Sequence, residues 1–313
     1  MDGMTEITVD SALPQQHTLK SAISCIGIGL HGGQRITLSL LPAPVDSGIV
    51  FRRTDLDLDI PVDALLVTDT RLCTQITHPI HQNASVRTVE HVMAALAGLR
   101  IDNVIVAVDG PEIPVLDGSA APFVFLIDCA GRVSQSAPRQ VIEVLRPIRV
   151  TLGEAFAELR PGGACLDMVL SIDFPAAAIG RQALSLSLTE QGFRASLSTA
   201  RTFAMLAEIE ALQAAGLARG GSLENAVVVD GARILNPAGL RSPDEFVRHK
   251  MLDAVGDLAM AGAPIHGRFI ASRTGHALNN RLLRALLADG KAWRRVSLEQ
   301  AGWSQPHFTA QAA

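Results

Sequence analysis

Residues 243–260 constrain this chain more than any other stretch. Ser242-Pro243-Asp244-Glu245 reads as a helix start: a serine N-cap, proline at the first helical position and glutamate at N3, which together make a capping box. Beyond it Val247, Met251, Val255 and Leu258 recur at helical spacing and form an apolar stripe. His249, Asp253 and Asp257 stand four apart and form a second stripe, turned about 200° from the first at roughly 100° per residue. Both faces of the helix are therefore engaged, one by a core and the other by polar chemistry.

Length supplies the setting. The chain has 313 residues, about twice the usual size of one domain, so two domains are expected. With 48% hydrophobic and 19% charged residues it is no disordered chain. Lys+Arg 27 against Asp+Glu 31 leaves a net charge of -4, which gives no electrostatic footprint for a nucleic acid. The lysines are Lys20, Lys250 and Lys291 alone, so Lys250, inside the two-faced helix, stands out. The longest apolar runs, 92–99 and 120–127, are about eight residues, far short of the roughly 20 that span a bilayer. The acidic start, Met1 to Glu6, lacks the pattern of a signal peptide. Cys25, Cys73, Cys129 and Cys165 are too scattered for a metal or redox pair and read as free thiols of a cytoplasmic protein.

Strands are expected at 36–40, 103–108, 141–150 and 226–229, and helices at 88–97, 204–215, 243–260 and 277–288. The polar stretch 134–139 reads as a linker. It divides the chain into two α+β domains, 14–137 and 138–300, between a flexible leader, 1–13, and a flexible tail, 301–313.

His249 and Asp253 can present an imidazole and a carboxylate to one ion from successive turns, although the pair also fits a plain surface helix. A catalytic metal needs a third ligand. Glu90-His91 offers one, at the start of an apolar helix that Gly98 is expected to close as a C′ glycine. Adjacent helical residues point about 100° apart, so His91 could ligate while Glu90 stands beside the metal as a base. The same two residues also fit an ordinary charged helix N-terminus. His276 follows a glycine at a helix entrance and reads as an acid/base group or as a simple first-turn residue. The glycine-rich turn around His31 lacks the P-loop lysine and the Rossmann spacing, so it does not read as a phosphate cradle. Asp109-Gly110-Pro111 and Asp117-Gly118-Ser119 read as structural turns. His78, His81, His266 and His307 read as structural or solvent-exposed.

Several stretches in the right order resemble the UDP-3-O-acyl-N-acetylglucosamine deacetylases, the zinc amidases of lipid A biosynthesis (the LpxC family). They are 27–33, 88–98, 109–123, 246–253 and 272–280, supported by 200–203 and 220–225, and they cover residues about 17 to 290. The resemblance implies two β-α-α-β sandwich domains packed through their helices, with the active site at the junction. It implies that His91, His249 and Asp253 bind Zn2+, with Fe2+ as an alternative, and that Glu90 is the general base. It further implies that His276 is the acid, Thr202 an oxyanion donor and Asp257 the group that orients His276. Lys250 would meet the diphosphate, Phe174 and Phe203 would stack on nucleotide and sugar, and 203–217 would line a passage for the 3-O-acyl chain. Ser272-Arg273-Thr274 departs from the family, whose members tend to have a lysine and a serine there.

The activity implied is hydrolysis of the N-acetyl group of an acylated UDP-sugar by a monomer. The alternatives are a non-catalytic sugar-nucleotide or lipid binder on the same scaffold, which would have no need of Glu90 and His276, and a zinc peptidase. The peptidase would need a His-Glu-x-x-His helix, which the sequence lacks.

Overall fold

The computed structural model describes residues 14–298; the expected leader, the expected tail and His307 lie outside them. Those residues form an α+β fold. Its helices are α1 (Glu90–Gly98), α2 (Ala121–Ala130), α3 (Glu190–Ser196), α4 (Leu206–Ala214), α5 (Glu245–Ala259) and α6 (His276–Ala288).

A five-stranded sheet runs in the order Ile23–Ile28, Arg35–Pro42, Val104–Val108, Ile49–Arg53, Leu58–Pro61. Its neighbours are antiparallel except Ile49–Arg53 and Val104–Val108, which run parallel. Arg35–Pro42 buries Ile36, Leu38 and Leu40 and turns the intervening side chains the other way, the period of two of a strand covered on one face. A seven-stranded sheet draws on residues 140–297. Its long strand Ile265–Ser272 lies parallel to Gln140–Val144 and Leu166–Asp173 and antiparallel to Ala155–Arg160. The expected strand at 141–150 is two strands, Gln140–Val144 and Ile148–Leu152, parted at Pro147, which has no amide to give a ladder.

The helices carry packing from one sheet to the other. Helix α2 rests on Ile23–Ile28, α1 on α2 and α5, and α5 on Leu166–Asp173 and Arg181–Ser187. The closest approach is where α1 meets α5: a Cβ placed on Gly256 would lie 2.0 Å from the Glu90 carbonyl oxygen. A glycine inside a helix costs about 0.5–1 kcal/mol relative to alanine. Here it lets the start of α1 reach the polar face of α5.

Three further expectations change. Residues 134–138 are not a linker but part of the strand Arg132–Pro138, which pairs antiparallel with Gln15–Leu19. Amides hold it: Asn103 donates to Gln135 and Gln16 at 2.7 and 2.8 Å, and Ser134 donates to Gln15 at 2.6 Å. Those partners are remote in sequence, so local polarity alone reads as a loop. Gly98 is not a left-handed C′ residue but the last residue of α1, and Arg100 takes the positive φ instead. A Cβ at Gly98 would meet the Phe193 ring at 2.3 Å, so close packing requires this glycine. Finally, α5 starts with Asp244 as its N-cap and without a capping box. The Glu245 carboxylate is taken by the Arg201 guanidinium and by the amides of Arg201 and Arg241.

Candidate active site

Helix α1 opens abruptly. Thr88, two residues before it, has a φ of 58°, a costly conformation for a β-branched side chain. Its hydroxyl donates to Glu112 at 3.1 Å, and Glu112 also accepts the amides of His31 and Gly32 at 2.8 and 2.9 Å. The glycine-rich turn thus cradles the chain's own carboxylate and not a phosphate. Glu90 and His91, the first two residues of α1, then face the polar stripe of α5.

His91 Nε2 and His249 Nε2 both point at Asp253 Oδ1, at 3.6 and 3.2 Å. All three side chains are buried, and their ligand atoms lie within 4.8 Å of one another. His249 Nδ1 is hydrogen-bonded to the Ala200 carbonyl at 3.0 Å, which fixes Nε2 as the free nitrogen. Burial pushes His249 down to about 4, so it is a neutral imidazole with a lone pair to give. Burial opposes ionisation of Asp253, but His249 and Lys250 outweigh it and hold the carboxyl well below the usual range. Lys250 Nζ donates to Asp253 Oδ2 at 3.1 Å. Asp253 Oδ1, by contrast, is buried with no hydrogen-bond donor among the described residues. Two imidazole nitrogens converging on such an oxygen fit a bound metal ion, because a buried carboxylate oxygen is otherwise costly to leave unpaired.

Glu90 and His276 stand beside this cluster, with His276 Nε2 3.7 Å from Glu90 Oε1. His276 Nδ1 lies 2.9 Å from Asp257 Oδ2. Burial lowers its pKa, but the Asp257 and Glu90 charges outweigh that and raise it to about 9. Burial raises Glu90, and the nearby His276 and His91 only partly offset it. Such a pair of shifts fits one group that gives a proton and another that takes one.

A cavity of about 240 Å³ opens over these groups. Every expected site residue lines it except Asp257, which stands behind His276. Phe174, Phe203 and Phe246 form an edge-to-face series with centroids 5.4 and 5.0 Å apart. Thr202 is tied into the backbone, its amide donating to Gly118 and its carbonyl accepting from Val227. Helix α4 buries none of its residues, so it is not an ordinary core-facing helix, although Met205 and Glu208 reach the cavity. Arg273, at the departure from the family pattern, has a φ of 52° and pairs with Glu154 and Asp173.

Sequence reasoning passed over Cys73 and Leu72 of the cavity wall, and Thr74 and Asn279, which brace Asp257. Residues 72–74 follow no ligand spacing, so no local signal marks them. The cysteines of the described residues are free, and burial with the Glu90 charge pushes Cys73 up to about 12. His78 accepts turn amides, and His266 is buried.

A His-His-Asp cluster flanked by a carboxylate and a carboxylate-held imidazole fits the class of metal-dependent hydrolases. Residues 16–288 match the family model described as LpxC, UDP-3-O-acyl N-acetylglycosamine deacetylase. A relative from Shewanella violacea, named UDP-3-O-acyl-N-acetylglucosamine deacetylase, is 49% identical over 287 residues, which cover 91% of this chain and 93% of the relative. One of the same name from Phenylobacterium zucineum is 51% identical over 282 residues, 89% of this chain and 95% of its own length. The chain belongs to this deacetylase family. Deacetylation as named for this family implies a small-molecule substrate, and no helix among the described residues is long and apolar enough to cross a membrane.

Proposed function

We propose that this protein hydrolyses the N-acetyl group of a UDP-3-O-(3-hydroxyacyl)-N-acetylglucosamine, releasing acetate and the free amine, as an early step of lipid A synthesis. The observation that carries the reading is the placement of Glu90 and His276 beside the unpaired Asp253 oxygen. A mere binder of sugar nucleotides has no use for a base and an acid at a metal site.

His91, His249 and Asp253 would hold the ion, with Zn2+ favoured by the imidazole-rich donor set and Fe2+ an alternative. When bound, it supplies Lewis acidity to the amide carbonyl and to the attacking water. Glu90, whose buried carboxylate is a stronger base than usual, takes a proton from that water at Oε1 as the oxygen adds to the acetyl carbon. His276, protonated at neutral pH and held by Asp257, delivers a proton from Nε2 to the departing nitrogen as the C–N bond breaks. Thr202, on the cavity wall, donates to the carbonyl oxygen as its charge grows. Lys250 keeps its charge through its contact with Asp253 and would turn toward the diphosphate. Phe174 and Phe203 would offer faces to nucleotide and sugar, and the surface beside α4 would take the acyl chain. The substrate is a cytosolic nucleotide sugar, so the protein would work there, as a monomer.

Metal analysis of the purified protein, joined to an assay for acetate released from the acylated UDP-sugar, tests this. The expected result is about one ion per chain and acetate release that a chelator abolishes. Tight binding of the substrate without acetate release would favour the binder and reject the hydrolase.

A further inference from the structure

Thr74 precedes the short strand Gln75–Thr77 and is buried, with 2% of its surface exposed. Each of its polar groups is used on the active site. Its amide donates to Glu90 Oε2 at 3.0 Å, and its hydroxyl donates to Asp257 Oδ1 at 2.6 Å. Its carbonyl accepts the amide of Val89, the N-cap of α1. Glu90 and Asp257 stand on different helices, so this one residue braces the base on α1 and the carboxylate on α5 that holds the acid.

The other contacts of Asp257 show what the hydroxyl adds. Asn279 donates to Oδ2 at 2.9 Å, and His276 Nδ1 lies 2.9 Å from Oδ2 and 3.1 Å from Oδ1. Without Thr74 the carboxylate would be held chiefly along its Oδ2 edge and free to turn. His276 would turn with it, and its Nε2 would leave the position set 3.7 Å from Glu90 Oε1. Misplacing a reacting group by about 1 Å can cost roughly 100-fold in rate.

We propose that Thr74 is a positioning residue that sets the separation of the Glu90 base from the His276 acid by acting through Asp257. The inference rests on the roles given to those two groups under the proposed function. Thr74→Val removes the hydroxyl and keeps the amide on Glu90. It should lower kcat about 10- to 100-fold, the usual effect of losing a hydrogen bond to a charged group. KM and bound metal should stay within about twofold, and Thr74→Ser should restore most of kcat. In a His276→Ala background Thr74→Val should have little further effect, because the two act along one path.

Parental kcat in Thr74→Val, equal losses in the Val and Ser variants, or additivity with His276→Ala would each overturn the proposal. Should Thr74→Val not fold, Thr74→Ala against Thr74→Ser carries the same comparison. A readout free of turnover is the downfield imidazole proton of His276 Nδ1 by NMR, assigned by its absence in His276→Ala. It should shift in Thr74→Val and not in Thr74→Ser. An unmoved signal would overturn the proposal even in an active enzyme. A shifted signal in a protein that released no acetate would uphold the placement by Thr74 and reject the deacetylase reading instead.

Discussion

Two of the buried acidic side chains of helix α5, Glu245 and Asp253, stand about two turns apart and are finished differently. Glu245 is saturated: the Arg201 guanidinium donates to both oxygens, and the amides of Arg201 and Arg241 add to them. Asp253 receives Lys250 on one oxygen and nothing from the described residues on the other, although two imidazole nitrogens face that oxygen. Both side chains are buried, and the two differ in how completely their oxygens are satisfied. A closed network holds the chain, whereas an open one is built for something that arrives.

The sharpest way to break this contrast is to remove the open carboxylate. Asp253→Ala should abolish tight metal binding and with it activity, a loss beyond the roughly 10–100-fold typical of groups behind the ligands. Full metal content in that variant, measured by atomic emission, would end the assignment.

Next come the groups that flank the ion. Glu90→Ala and His276→Ala should keep the metal and each lose about 10²–10⁴ in rate. The sign of the pH effect follows from the raised pKa of His276. An acid must be protonated to act, so the rate should fall as pH rises through about 9, and His276→Ala should lack that limb. An unchanged alkaline limb in His276→Ala would assign it to another group.

The closed centre should answer in stability and not in chemistry. Glu245→Ala leaves the buried Arg201 charge without its carboxylate and should cost about 3–5 kcal/mol, with metal per folded molecule retained. Glu245 has its pKa lowered, because Arg201 and the backbone donors outweigh its burial. Its contribution is therefore present above the ordinary glutamate pKa and is lost as pH falls through the lower folded value. Denaturant melts at two pH values read this directly. Loss of metal without loss of stability would erase the distinction between the centres.

The smallest effect belongs to the exposed helix α4. If the acyl chain lies along it, each methylene buried is worth about 0.8 kcal/mol, so each one removed should lower kcat/KM up to about fourfold. Equal kcat/KM for acylated and unacylated substrate would remove α4 from the site.

Much of this was legible in the sequence, and for physical reasons. A helix must repeat every 3.6 residues, so the two stripes of α5 and their separate tasks follow from residue order alone. The same holds for the alternation of Arg35–Pro42 and for the pairing of Glu90 with His91 at a helix start. The family resemblance implies that these fragments share one site.

Only the tertiary structure could decide what depends on remote partners. Gly256 looks like a weakness in a helix until Glu90 of α1 lies against it. Residues 134–138 look like a linker until Gln15–Leu19 pairs with the strand they belong to. Glu245 completes a capping box on paper, yet Arg201 claims its oxygens. Thr74 carries no local pattern at all, because its meaning is two carboxylates on two other segments. Periodicity is written along the chain, whereas the saturation of a buried polar atom depends on everything folded around it.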